Sequence, residues 1–375
     1  MKMKTTLLLC FIILYNCGNP EKKSKIDDDD INLVRVSMDT HADSLLLDTK
    51  INSVSIGIYR NGKKYTAHYG ELDKGQKNKP TDSTIYEIAS VSKTFTGVLV
   101  AQAVLDRKLN LEDDIRKYLK HDFKNLEYNK TPITIKNLLT HTSEMRKFLP
   151  ESINDLFTDF NEELPFKVYE IQKKYSKNDF FSDINKIKLD TVPGIRYRYS
   201  NVDTEIMAQV LENIYQESFN TILTNYFKTN VGMQNTYINL PNNKKQFLAN
   251  GYGMTGRLVP HEVVLYGADG GVKTTMLDLV NYLGFQLDKN IPTVVESHRV
   301  LYHNKNREMA YYIPIKNHKN HGTYYKMHGG AFGSQNWLFI LPKYHLGISV
   351  ITNQSDLKTA EKLMKTVNGL IRDLK

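Results

Sequence analysis

The stretch that most constrains this chain runs Glu87-Ile88-Ala89-Ser90-Val91-Ser92-Lys93-Thr94-Phe95-Thr96-Gly97-Val98-Leu99-Val100-Ala101-Gln102-Ala103-Val104. From Val98 onward it is apolar nearly all round, so as a helix it has to be buried. Ser90 and Lys93 sit at the mouth of that helix, three residues apart and therefore on one helical face. Lysine is rarely buried without a partner, and a desolvated amine gives up its proton more readily than a hydrated one. An amine within reach of a hydroxyl can activate the serine as a nucleophile. Free N–H groups in the first turn would favour a developing oxyanion. The pattern points to acyl transfer, but Ser-x-x-Lys alone is common. It recurs at Ser355-Asp356-Leu357-Lys358, in a polar stretch that reads as an ordinary capped helix start.

The amino terminus, Met1-Lys2-Met3-Lys4 followed by an apolar run through Leu14, reads as an export signal, too short to span a bilayer as a helix. Leu14-Tyr15-Asn16-Cys17 resembles a loose bacterial lipoprotein cleavage box, with Cys17 as the lipid-bearing residue of an exported, membrane-anchored chain. Both cysteines fall in this segment, so after processing no internal disulfide is expected and stability rests on the core. Gly18 to Asp30 is polar and reads as a flexible tether. The formal charge is +9, but Lys, Arg, Asp and Glu are interspersed. Without a compact basic patch carrying interleaved aromatics, nucleic acid is not expected as a partner. The histidines are scattered and lack zinc-site spacing, and no phosphate loop or dinucleotide fingerprint follows a strand, so neither metal nor cofactor is expected.

At 375 residues, with 41% hydrophobic content, the chain can build one large core or two packed lobes. Leu33 to about Leu47 has helical spacing, with Leu33, Val36, Leu45 and Leu46 as its apolar set. Val54 to Tyr59, the turn Asn61-Gly62 and Lys64 to Tyr69 predict a β-hairpin. The middle is mostly helical, with helices near 134–143, 203–213, 219–227 and 276–286. Phe148 to about Leu189 is a long polar connection of the kind that shapes a substrate mouth. Strands return at Tyr324–His328, Gln335–Leu341 and Gly347–Thr352, and Thr359–Leu374 closes as an amphipathic helix. Strands at both ends around a helical middle suggest one sheet completed by the two chain ends.

Two further motifs join Ser90 and Lys93. Tyr199-Ser200-Asn201 follows the Pro193-Gly194 turn and precedes a helix, so it sits at a rigid corner; Ser200 or Asn201 is expected to cap that helix. A phenol beside a lysine could shuttle protons for Ser90, and the Asn201 amide could orient Lys93 or a substrate carbonyl. His328-Gly329-Gly330-Ala331 precedes a strand, and its two glycines let backbone approach a ligand closely. The Ala331 N–H would then be a second oxyanion donor.

Ser90-x-x-Lys93, Tyr199-x-Asn201 and His328-Gly329-Gly330 resemble, in order and spacing, the serine β-lactamase and penicillin-binding-protein superfamily. Within it, the chain looks like the class C β-lactamase-like branch, which also holds D-peptidases and esterases. Leu138-Leu139-Thr140-His141-Thr142-Ser143, Pro193-Gly194, Gly270-Gly271 and Asp278-Leu279 support this, and the resemblance covers roughly Val54 to Asn353. It implies an α/β (α+β) fold, an antiparallel sheet from both chain ends flanked by helices, with an inserted all-helical lobe. The division expected is a signal peptide over 1–16, a disordered tether over 17–32 and a serine hydrolase domain over 33–375. Within that domain the α/β lobe takes about 33–82 and 265–375, and the helical lobe about 83–264. Ser90 would be acylated, with Lys93 and Tyr199 sharing the base and leaving-group-acid roles.

Two departures from the family pattern bear on substrate. His328 stands where true class C enzymes carry a lysine that attracts the substrate carboxylate, and it is largely neutral at pH 7. Glu144 stands where relatives usually have glycine; pointing inward, it would further disfavour anions. The expected substrate is therefore a small ester or peptide-like amide. β-Lactams or peptidoglycan are the alternative, and a catalytically silent ligand-binding homologue is a third reading.

Overall fold

Asn61 (φ 50°) and Gly62 (φ 84°) both take the left-handed conformation that a tight hairpin turn requires. Strands Ser53–Arg60 and Lys63–Gly70 run antiparallel from that turn. On its other side Ser53–Arg60 pairs with Leu346–Thr352, Ser55 opposite Ile351, so the two ends of the chain complete one sheet. In this computed structural model, which describes residues 20–120 and 122–375, the sheet has eight antiparallel strands. Beyond Leu346–Thr352 come Gln335–Leu341, Gly322–Gly330, Pro314–His318, Arg307–Met309 and, at the far edge, Tyr302–Asn304. The last three are additions to the expected set. They are three to five residues long and largely polar, too short to show alternation.

Apolar residues cover both faces of the sheet. Val54, Ile56, Ile58, Ile348 and Val350 face helices Pro20–Leu46 and Thr359–Leu374. The opposite face receives helix Met276–Leu287 and merges with the larger core around helix Ser92–Leu105. There Phe95 stacks on Tyr282 with ring centroids 4.2 Å apart, tying the central helix to the sheet lobe. A short ladder of Ile85–Glu87 with Lys273–Thr275 carries the chain into that central helix.

The amino-terminal helix corrects one expectation. Residues 20–32, expected to be a disordered tether, form its first turns. Proline is tolerated in a first helical turn, and Glu and Lys are good helix formers. Further along, Asp30 pairs with Arg60 and accepts a hydrogen bond from Tyr65, both on the hairpin. The buried face differs too: Val34, Met38, Ala42 and Leu45 point inward, while Leu33 and Val36 are exposed. The export signal, the cleavage box and Cys17 lie outside the described residues. Among the described residues no helix is long and apolar enough to cross a membrane, and no group of three or more His, Cys, Asp or Glu could hold a metal ion.

Candidate active site

Ser90 is set on a tight turn. Ala89 has φ 45°, a left-handed conformation that disfavours any side chain, and residues 89–91 form a single 3-10 turn ahead of helix Ser92–Leu105. Three hydrogen bonds pin this elbow. The Ile88 N–H donates to the Val272 carbonyl at 3.1 Å, Asn336 Nδ2 donates to the Ile88 carbonyl at 3.0 Å, and Ser334 Oγ donates to the Glu87 carbonyl at 2.7 Å. The hydroxyl that emerges is partly exposed, although the helix behind it is buried.

Lys93 is fully buried and donates from Nζ to Ser90 Oγ at 3.3 Å. Its other contacts are the Asp269 carbonyl oxygen and the face of the Tyr199 ring, whose centroid is 5.0 Å away. Tyr199 Oη and Ser90 Oγ are 2.8 Å apart. The serine oxygen thus touches both groups that can take its proton. The loop holding Lys93 is itself clasped: the carboxylate of buried Glu205 accepts from the N–H of Tyr266 at 2.8 Å and of Asp269 at 3.1 Å. Burial, and then the neighbouring Asp269 charge, push the Glu205 carboxyl up to about 8.

The corner carrying Tyr199 is built from buried polar groups. Ser200 Oγ, not Asn201, accepts the Asp203 N–H at 3.0 Å and so supplies the cap of helix Val202–Tyr215. His141 packs its ring 4.7 Å from that of Tyr199, and its Nδ1 is 3.2 Å from the Asp203 carboxylate. Burial holds the His141 imidazole well below the usual histidine range and raises the Asp203 carboxyl well above the usual carboxylate range. His141 and Asp203 are therefore a buried brace for the phenol, each shifted by burial toward its neutral form. Asn201 lines the cavity and makes no bond to Lys93; its buried Oδ1 has no partner among the described residues. An orphaned acceptor there fits a substrate N–H.

Strand Gly322–Gly330 passes directly over the elbow. A Cβ on Gly329 would lie 2.2 Å from the Ile88 carbonyl oxygen and 2.3 Å from Asn336 Nδ2, so only glycine lets this strand lie so close to Ser90. His328 Nε2 is 2.7 Å from Gln335 Oε1, and burial lowers its pKa, leaving it neutral at pH 7. One expectation fails here. The Ala331 N–H donates to the Ser334 carbonyl at 2.9 Å, closing the hairpin, and is not offered to the cleft. Because successive residues of an antiparallel ladder present N–H groups to opposite edges, the Gly330 N–H is turned toward the edge left open beyond Tyr325. Gly330 and Ala331 both line the cavity with Ser90, and of the two N–H groups that of Gly330 is the one not spent on the hairpin.

These groups open into a cavity of about 620 Å³. The connection after Phe148, with helices Ser152–Leu156 and Leu164–Gln172, forms one wall, as expected of a long insertion. Arg307, Lys316 and Lys326 also line the cavity; sequence reasoning missed them, and the strands of the first two are short. Glu144 does not reach the cavity lining. Its φ is 70°, which explains why glycine would suit the position, and its buried carboxylate is paired with Arg196. The decoy Ser355 is also settled: its hydroxyl accepts from Gln335 Nε2 at 2.8 Å, and no lysine amine attends it.

With this geometry in place, comparison with known proteins gives the class. The family described as Beta-lactamase matches residues 32–370. The chain belongs to that family. Among curated relatives, Protein flp of Staphylococcus aureus strain N315 is 29% identical over 332 residues, 86% of this chain and 63% of that protein. A Beta-lactamase of Providencia stuartii is 27% identical over 252 residues, covering 67% of this chain and 59% of that protein. The chain thus spans about three fifths of the length of these relatives. Among solved structures, a β-lactamase/D-alanine carboxypeptidase from Yersinia pestis superposes with a TM-score of 0.78 at 18% identity, covering 92% of this chain and 99% of that one. A class C β-lactamase gives 0.77 at 18% identity, over 92% of this chain and 99% of its own.

Proposed function

We propose that this protein is an exported hydrolase that acylates Ser90 with ester or peptide-like amide substrates. The carrying observation is that Ser90 Oγ stands 2.8 Å from Tyr199 Oη and 3.3 Å from Lys93 Nζ at the floor of an open cavity. In the first half-reaction Ser90 Oγ attacks the carbonyl carbon, and its proton passes to the Tyr199–Lys93 pair. The Gly330 N–H and that of Ser90 meet the oxyanion. The bond to the leaving group breaks as the same proton reaches the departing atom. Water then attacks the acyl-serine ester, gives its proton to the pair, and releases the acid with the Ser90 hydroxyl restored. Asn201 lines the cavity, and its partnerless amide oxygen favours a substrate that brings an N–H to it.

The second reading, a β-lactamase or D,D-carboxypeptidase, gains from the structure, since the Glu144 carboxylate is neutralised by Arg196 and so does not repel anions. The solved relatives named above carry those activities in their descriptions. Turnover of nitrocefin against p-nitrophenyl acetate separates the readings. Ester turnover with little nitrocefin hydrolysis supports the first, and fast nitrocefin hydrolysis replaces it with the second. Export and a lipid on Cys17 rest on the composition of the first seventeen residues. Radiolabelled palmitate incorporated by the wild type and not by Cys17→Ser would support the anchor, and no incorporation would remove it.

A further inference from the structure

The cavity has two unlike walls. On one side stand three cations. The register that sets Glu308 opposite Ile315 puts Arg307 opposite Lys316, and Lys316 in turn pairs with Tyr324, two residues from Lys326. All three therefore share one face of adjacent strands, and all three line the cavity that holds Ser90. Like charges set opposite each other in a sheet are destabilising. Among the described residues none of the three makes an ion pair with a carboxylate; Arg307 stacks on the Tyr197 ring at 3.7 Å and the Lys326 ammonium lies 5.3 Å from that of Trp337. The neighbouring acid Glu308 is on the other face, engaged with His303 and Asn317. Burial, and then the like charge of Lys316, push the Lys326 ammonium below the ordinary lysine range. An anion on this ledge would relieve the repulsion.

Glu262, one of the cavity's acids, does little to oppose such an anion. Burial, followed by the charges of Glu87 and Asp269, pushes the Glu262 carboxyl up to about 8, so it is mostly neutral at pH 7. The charge of Asp269 acts on Glu205, whose carboxyl it helps to raise. The other wall is mainly aromatic, with the Lys147 ammonium 4.9 Å from the Phe148 ring and 5.2 Å from that of Phe157. Phe148 and Phe157 stack at 4.9 Å, and Phe157 meets Phe332 from the oxyanion hairpin at 6.0 Å. Ile153 and Val168 back these rings from the core beneath. Ser90 lines the same cavity as both walls.

We propose that the substrate is amphipathic, with a carboxylate that seats on the Arg307–Lys316–Lys326 ledge and an aromatic or branched apolar arm that packs on the Phe148–Phe157–Phe332 wall. This rests on acylation of Ser90 and names the substrate class for that same site. Carboxylate recognition thereby moves from the position held by neutral His328 to Lys326 on the same strand and to Lys316 and Arg307 on the next two.

Four thioesters test it with the full chain: acetylglycyl or phenylacetylglycyl as acyl group, thioglycolate or neutral 2-mercaptoacetamide as leaving thiol, read by thiol release. The expected kcat/KM favours thioglycolate over its amide, and phenylacetyl over acetyl, each by about tenfold or more. The carboxylate preference shrinks as salt rises from about 0.05 to 0.5 M. In the Arg307→Gln, Lys316→Gln double variant the carboxylate-to-amide ratio falls to within about twofold of one, with the phenylacetyl preference retained. Phe157→Ala does the converse, and Phe160→Ala, at an exposed ring on the same rim, provides a second probe should Phe157→Ala not fold. Ratios near one in the wild type, or ratios unmoved by these variants, overturn the proposal. So does Ser90 labelling by a fluorophosphonate with none of the four thioesters turned over. Absence of both labelling and turnover instead defeats the acyl-enzyme reading beneath it.

Discussion

Replacing Gly329 by alanine tests how the nucleophile is held. The added methyl carbon would sit 2.2 Å from the Ile88 carbonyl oxygen, a backbone atom two residues before Ser90, and 2.3 Å from Asn336 Nδ2. Ordinary contact needs about 3.2 Å, so strand and elbow must part by about 1 Å. Ile88 cannot yield alone, because its carbonyl accepts from Asn336 and its N–H is bonded to Val272. Overpacking of this kind costs about 1–3 kcal/mol, which in a chain of this size lowers Tm by a few degrees. The larger effect is on rate. A displacement of about 1 Å between nucleophile and oxyanion donor costs roughly 10²-fold in kcat. The assay is ester hydrolysis, with thermal unfolding alongside. Gly330→Ala is the comparison, since its Cβ would meet only the His328 and Gln335 side-chain ends at 3.1 and 3.2 Å. It should lose no more than a few-fold in kcat. If Gly329→Ala keeps both Tm and kcat, or Gly330→Ala is the more damaged of the two, the close approach does not set the geometry of the site.

Tyr199→Phe and Lys93→Met should each lower kcat by about 10²–10⁴-fold with the protein still folded, as expected for loss of a proton acceptor; unfolding by circular dichroism and steady-state kinetics check this together. Glu205→Ala frees the loop whose Asp269 carbonyl holds Lys93 and should cost about 10-fold or more in kcat with little change in KM. Glu205→Gln, which keeps one acceptor, should recover part of that loss. Stability should fall in acid through His298, which stacks on Tyr325 at 3.9 Å and whose pKa burial lowers to about 4. Between the unfolded value of about 6.5 and the folded value of about 4, the unfolded chain binds the proton and the folded one does not. Stability therefore rises with pH across that window and is lost as pH falls through it, by about 3 kcal/mol at most. Denaturant titrations at pH 7 and 4.5 should show a smaller loss in His298→Gln; an equal loss would assign the acid sensitivity elsewhere.

The reach of the sequence was uneven, and the reasons are physical. Ser90 and Lys93 were legible because residues three apart at a helix start must meet, and they do at 3.3 Å. Tyr199 was legible because a Pro-Gly turn before a helix fixes its corner. The hairpin was announced by Asn61-Gly62, whose positive φ values few other pairs adopt. Arg307, Lys316 and Lys326 left no such trace. Their function depends on which strands lie side by side, and that register is set by the whole sheet rather than by local pattern. The misassigned oxyanion donor has the same origin: a one-residue choice of edge, Gly330 or Ala331, follows from hairpin pairing that composition does not encode. Glu144 was read correctly as unusual, yet its partner Arg196 lies fifty-two residues away, and only the fold joins them.

The account stands on Ser90 being the atom that attacks. Incubation with a fluorophosphonate, followed by intact mass and peptide mapping, measures this directly. A single adduct on Ser90, formed much more slowly in Tyr199→Phe and absent together with ester turnover in Ser90→Ala, is the expected result. An adduct on another residue, or hydrolysis undiminished in Ser90→Ala, would contradict it.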